Sequence, residues 1–138
     1  MMNESVILEL QRATHATLHL LMTELADLDL TASEINALGN LADGVERTAS
    51  ELGAAVGSRP ATLTGILDRL ERRGLIVRGP RQGDRRAVQI SLTPQGDQTA
   101  ALIRRALTDI EDRTLAGIPA DAVAGAGVVL RALTGAAR

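Results

Sequence analysis

The chain has 138 residues, 45% apolar and 23% charged, with a net charge of −2 and no Phe, Trp, Tyr or Cys. That composition fits one folded domain and argues against disorder. The missing cysteines exclude disulfides, thiolate metal sites and thiol chemistry, and the missing rings exclude a base-stacking platform or an aromatic cation cage.

No apolar run has the length of a membrane span, and Met1-Met2-Asn3-Glu4 lacks the basic start of a secretory signal, so a cytoplasmic protein is expected. Charge is segregated along the chain, and every Lys or Arg position is arginine. Residues 1–58 carry two arginines against nine acids, whereas residues 59–86 carry eight arginines against Asp68, Glu71 and Asp84. A basic segment in an otherwise acidic chain is the footprint of a phosphate-binding surface, although such a run also serves as a plain solvated face.

Residues 4–26 place Val6, Ile7, Leu10, Ala13, Leu18, Leu21, Met22 and Leu25 at helical spacing, predicting a long amphipathic helix with an apolar face broad enough to need a partner. Thr31-Ala32-Ser33-Glu34 and Thr48-Ala49-Ser50-Glu51 are two copies of a capping box, so a helix should begin at each. The first is expected to run through Ile35, Leu38 and Leu41 to Asp43-Gly44, and the second to end at Gly57.

A further helix is predicted from Arg59-Pro60 to Arg73-Gly74, with Leu63, Ile66, Leu67 and Leu70 in one stripe and Ala61, Thr62, Gly65, Asp68, Arg69 and Arg72 opposite. A short helix, a glycine turn and a second helix with small polar residues at its start fit a helix-turn-helix. A plain helical hairpin would share the pattern. Residues 75–78 and 88–92 then read as strands around Gly79-Pro80-Arg81-Gln82-Gly83-Asp84-Arg85-Arg86, a β-hairpin with a flexible arginine-rich tip. Such a tip buries nothing and repels itself, which favours an anionic partner. Thr93-Pro94 opens another long helix to about Ala116, with Ala100, Ala101, Ile103, Leu107 and Ile110 on its apolar side, and Val123 to Leu133 form a last, Ala- and Gly-rich helix.

Two stretches carry a resemblance: Leu67-Asp68-Arg69-Leu70-Glu71-Arg72-Arg73-Gly74-Leu75-Ile76, and Gly83-Asp84-Arg85-Arg86-Ala87 continuing to Ser91-Leu92-Thr93-Pro94-Gln95-Gly96. Together they resemble the MarR family of bacterial regulators over residues 4–135. The resemblance implies a mostly α fold with a small β-hairpin wing, one winged helix-turn-helix domain over residues 1–138. Within it, about 4–27 and 94–135 would form dimerisation helices and 31–93 the DNA-binding lobe.

The implied function is a homodimeric, cytoplasmic repressor of a palindromic double-stranded DNA operator, released by a small-molecule effector. By the same resemblance Arg86 enters the minor groove, Asp84 orients it, and Arg85 and Arg81 contact phosphate or the groove edge. Base-facing positions fall on Arg59, Pro60, Ala61, Thr62 and Thr64, with Arg69 nearer the backbone. The helix start departs from the family pattern, because Arg59 stands where Ser or Asp is usual. Ser58, one residue earlier, is then a candidate cap, while Pro60 disfavours a helical Arg59 and makes it the boundary residue. The guanidinium of Arg59 would lead into the major groove, where pairing with guanine is the commonest specific contact.

His15 and His19 stand one helical turn apart, but no third His and no Cys accompanies them, so no metal is expected. The family's effector pocket lies between the dimer helices and the DNA-binding lobe, which makes His15, His19 and Met22 candidates to line it. No cofactor is implied. Enzymatic activity has no support, since no nucleophile–base pair or phosphate-binding glycine loop is present. The competing reading is a winged-helix protein-interaction module without DNA binding.

Overall fold

A computed structural model describes residues 5–81 and 83–136, with the side chains of Arg81, Asp84, Arg85 and Arg86 outside the description. Among these residues the order is α1 (Val6–Glu24), a 3-10 turn (Ala26–Leu28), α2 (Ala32–Gly39), β1 (Arg47–Thr48), α3 (Ala49–Val56), α4 (Pro60–Arg72), β2 (Ile76–Arg81), β3 (Asp84–Leu92), α5 (Pro94–Thr114) and α6 (Ala120–Ala136). The strands form one antiparallel sheet in the order β1-β3-β2. This is the expected winged helix-turn-helix.

Backbone proximity groups residues 1–107 into one compact unit and residues 108–138 into another. The first unit holds an apolar core of leucine, isoleucine and alanine, in which Leu38, Leu41, Leu52, Ile66, Leu70, Ile76, Ile90 and Ile103 are fully buried. Branched aliphatic side chains fill this volume without rings, each contributing about 1.5–3 kcal/mol on burial.

Local chemistry sets the helix ends. Ser5 accepts the Leu8 N–H at 3.2 Å and caps α1. Thr31 and Glu34 form the reciprocal capping box of α2. At α3 the box is half made: Thr48 accepts the Glu51 N–H, but the Glu51 carboxylate takes the Thr48 hydroxyl instead of its backbone N–H. Thr48 is also a strand residue, paired with Gln89 of β3.

The α2 helix stops at Gly39, short of the expected Asp43-Gly44. The Asn40 amide folds back on the Asn36 carbonyl at 2.8 Å, and tighter turns carry the chain to Gly44. Arg47 then clasps this loop, donating to both Asp43 carboxylate oxygens at 3.0 and 2.8 Å and to the Asn40 carbonyl at 2.6 Å.

The buried side of α5 is Ala100, Ile103, Ala106 and Ile110, so the expected Ala101 and Leu107 lie instead on its exposed surface. No residue of α1 or α6 is buried. Val6, Ile7 and Leu8 on α1, and Val128, Val129 and Leu130 on α6, are each more than 40% exposed.

Candidate nucleic-acid interface

The α3–turn–α4 unit is close-packed at its crossing. Gly53 of α3 is buried, and a Cβ there would lie 3.1 Å from the Leu63 side chain, so a larger residue would require Leu63 to give way by a few tenths of an ångström. Gly57 ends α3 in the left-handed conformation (φ 70°), with Ser58 donating its N–H to the Gly53 carbonyl at 3.2 Å. Arg59 is extended (φ −67°, ψ 151°) and is the N-cap residue, as the sequence predicts.

Ser58 does not supply the cap: the boundary falls at Arg59, which makes no side-chain cap bond. Pro60 has no N–H to satisfy, which lowers the demand for one. The stripe Leu63, Ile66, Leu67 and Leu70 is buried, and Arg59, Pro60, Ala61, Thr62 and Thr64 are all exposed. Thr64 donates its hydroxyl to the Pro60 carbonyl at 2.9 Å, so outward it presents an acceptor. Arg59 makes no ion pair or side-chain hydrogen bond among the described residues.

Several of the eight arginines counted in residues 59–86 have structural work. Arg73 donates to the carbonyls of Asp29 at 2.6 Å and Leu28 at 3.0 Å, tying the end of α4 to the turn after α1. Asp29 is left-handed (φ 52°), a conformation Asp tolerates better than most residues, and Arg73 holds its carbonyl.

Arg78 of β2 reaches back to α4, donating to Asp68 at 2.8 Å and to Glu71 at 3.0 and 3.2 Å. The Arg78 guanidinium holds the Glu71 carboxyl below its usual range; in return Glu71 first, then Asp68, raise Arg78. Arg69 lies 3.8 Å from the buried Glu34 carboxylate while its side chain stays 45% exposed. Of the described arginines in this segment, Arg73 and Arg78 are thus engaged within the protein, while Arg59 at the start of α4 is exposed.

The wing strands run further than expected. β2 continues to Arg81 and β3 starts at Asp84, so Arg81, Arg85 and Arg86 stand within strands. Pairing steps from Pro80↔Val88 to Arg81↔Asp84, which puts Arg85, Arg86 and Ala87 in an irregularity of β3. Pro80 cannot donate to a ladder, and a bulge is where strand proline is accommodated. Gly83 turns the chain at φ 88°. The expected roles of Arg81, Asp84, Arg85 and Arg86 rest on side chains outside the described set.

On another side of the first unit a cleft of about 550 Å³ opens between α1, α2 and α5. Leu18, Leu21, Ile35, Ile103 and Leu107 supply its apolar wall, and Thr14, Thr17, Ser33, Asn36 and Asn40 its polar positions. His15, His19 and Met22 are not in its lining: both histidines are exposed and Met22 packs against the core. On α1 the lining stripe is Thr14, Thr17, Leu18 and Leu21, at the 3, 4 and 7 spacing of one helix face. Among the described residues no group of three or more His, Cys, Asp or Glu could hold a metal, and no helix is long and apolar enough to cross a membrane.

Comparison with known proteins decides the family. The MarR family model matches residues 28–87. The homoprotocatechuate degradative operon repressor of Escherichia coli is 32% identical over 111 residues, 80% of this chain and 73% of the repressor. The chain belongs to the MarR family. Among solved structures, NadR in complex with 4-hydroxyphenylacetate superposes with a TM-score of 0.88 at 23% identity, covering 97% of this chain and 95% of NadR. Staphylococcus aureus MepR in its DNA-binding conformation gives 0.86 at 18% identity, covering 98% and 100%. MarR-family proteins are transcriptional regulators, not enzymes, and the exposed α4 face and the wing are the two elements such a fold offers to DNA.

Proposed function

We propose that this MarR-family regulator is a cytoplasmic homodimeric repressor that places two copies of α4 in successive major grooves of a palindromic operator and releases it when a small molecule occupies the α1–α2–α5 cleft. The observation that carries the DNA half is the exposed start of α4. Arg59, Ala61, Thr62 and Thr64 face outward there, and Arg59 has no internal partner among the described residues. In this reading Arg59 pairs with a guanine edge, Ala61 and the threonine methyls pack on thymine methyls, and Thr64 accepts from a base amine.

Pro60 and Ser58 set the approach of the helix, and Arg69 and the wing residues Arg81, Asp84, Arg85 and Arg86 serve phosphates and the minor groove. The repressor and effector assignments are supported by the Escherichia coli relative, which is a repressor, and by the complex of NadR with 4-hydroxyphenylacetate. Homodimerisation is supported by the apolar residues that α1 and α6 leave exposed.

The test is binding to genomic fragments selected in vitro, measured against salt. Six or more phosphate contacts in the dimer should cost about 10³-fold or more in affinity between 50 and 200 mM salt. A weak salt response would favour the protein-interaction module.

A further inference from the structure

Among the described residues Glu34 is the one charged residue that is buried. It sits in the first turn of α2, where its Oε1 accepts the Thr31 N–H at 3.2 Å. A single neutral N–H does little for a charge taken out of water, and a buried carboxylate needs a cation as well. That cation is Arg69 of α4, whose Nε lies 3.8 Å from the same oxygen.

Arg69 meets Glu34 through the Nε edge of its guanidinium, and its side chain is still 45% exposed. The guanidinium lies back along α4, with Nη1 3.6 Å from where a Cβ on Gly65 would stand. Helical side chains lean toward the N-terminus, and a glycine one turn earlier leaves that path open. Gly65 shares its helix face with Ala61 and Thr62, so Nη1 is brought toward the exposed start of α4. Neither Nη1 nor Nη2 makes a hydrogen bond among the described residues. An arginine fork held at one edge keeps its other donors in a fixed plane, the geometry that suits a phosphate. We propose that Glu34 is a positioning residue for DNA: by holding the Nε edge of Arg69 it aims the Nη donors at one operator phosphate beside the face of Ala61 and Thr62. This rests on the reading of α4 as the helix that meets DNA.

The charge of Glu34 by itself predicts the opposite sign. A carboxylate near a phosphate contact repels DNA, so removing it should tighten binding if Glu34 did nothing for Arg69. Glu34→Gln keeps an oxygen for the Thr31 N–H and removes the charge. Fluorescence anisotropy of the full chain on a duplex fragment selected in vitro should show the variant binding at least about threefold more weakly than the parent, with a salt slope shallower by about one contact per subunit. Equal or tighter binding overturns the proposal. So does weaker binding with the parent's slope, which is what a loosened fold would give. Arg69→Ala should lose at least as much, and adding Glu34→Gln to it should cost no further affinity; losses that add overturn the link between the two residues.

Where circular dichroism shows Glu34→Gln unfolded, Arg69→Lys decides, since it alters only an exposed side chain and keeps the positive charge. A single ammonium cannot serve Glu34 and a phosphate in the geometry of the fork, so Arg69→Lys should weaken binding by a similar factor, and parental affinity overturns the proposal. A parent chain that binds no duplex strikes the DNA reading of α4 and the proposal with it. A parent that binds, beside a Glu34→Gln variant that binds equally, strikes the role of Glu34 alone.

Discussion

Arg78 on β2 and Glu71 on α4 share a two-pronged ion pair, Nη2 to Oε1 at 3.0 Å and Nε to Oε2 at 3.2 Å. The same guanidinium reaches Asp68 at 2.8 Å. The pair crosses from the wing to the helix proposed to read bases, so it ties together the two elements proposed to meet DNA. Arg78→Gln should weaken operator binding by about 3- to 30-fold through lost alignment. The salt slope should stay as in the parent. A slope shallower by about one contact would make Arg78 a phosphate ligand instead.

Arg59 and Arg86 are proposed to read different grooves, and their variants should differ in kind. Arg59→Ala should relax preference at one base pair of each half-site, because a guanine pairing is lost. Arg86→Ala should cost roughly 1–3 kcal/mol of operator affinity with the melting temperature unchanged. Competition binding against single-base operator variants distinguishes them: a uniform loss for Arg59→Ala would mark a phosphate contact, and parental affinity for Arg86→Ala would sink the minor-groove assignment.

The helix-turn-helix was legible because its signals are local. The stripe Leu63, Ile66, Leu67 and Leu70 and the stops at Gly57 and Gly74 depend only on nearby residues, and the structure buries that stripe and makes both glycines left-handed. Partners of the arginines were not legible, since a charge count cannot tell that Arg73 reaches carbonyls 44 and 45 residues away. The two-residue strand β1 carries too little pattern to register. Which stripe of α1 lines the cleft was not legible, because a helix that is apolar over much of its surface does not declare which stripe faces α2 and α5.

The Asp43–Arg47 clasp should appear in the acid limb of stability. Asp43 is held below its ordinary value of 3.8 first by the hydrogen bonds from Arg47 and then by the Val45 N–H. A carboxyl whose folded value is depressed contributes its full stability above the unfolded value and loses it as pH falls through the folded one. The pair is partly exposed, so Asp43→Asn should cost no more than about 1 kcal/mol at pH 7. The difference should shrink below about pH 4 and vanish in stronger acid. Denaturation curves that keep a constant offset from pH 7 to pH 2 would show that this titration contributes nothing.

Gly96 should be the least replaceable residue of the Leu92-Thr93-Pro94-Gln95-Gly96 stretch. A Cβ there would lie 1.9 Å from the Leu75 carbonyl oxygen and 2.9 Å from its carbon, and these are backbone atoms that cannot swing aside. The approach is locked by Thr93, which donates its hydroxyl to the Gly74 carbonyl at 2.6 Å and its N–H to the Leu75 carbonyl at 3.1 Å. Gly96→Ala should therefore destabilise by about 3 kcal/mol or more, lowering the melting temperature by roughly 10 °C. A change of less than a few degrees would mean that the start of α5 can slide away from Leu75.

Exposed aliphatic residues on α6 bear on assembly. Val128 is 61% exposed, Val129 43% and Leu130 45%, and no residue of α6 is buried, an arrangement that costs hydration unless another surface covers it. If a second copy covers it, sedimentation at micromolar concentration should give twice the chain mass of 14.5 kDa. Val128→Glu should shift the protein toward monomer, since a carboxylate would be stranded in the interface, while the core of residues 1–107 keeps its far-ultraviolet signal. Operator affinity should fall with it, because two half-sites engaged by one dimer bind far more tightly than either alone. A parent chain that sediments as a monomer would overturn the dimer, and a Val128→Glu dimer of undiminished stability would place the interface elsewhere.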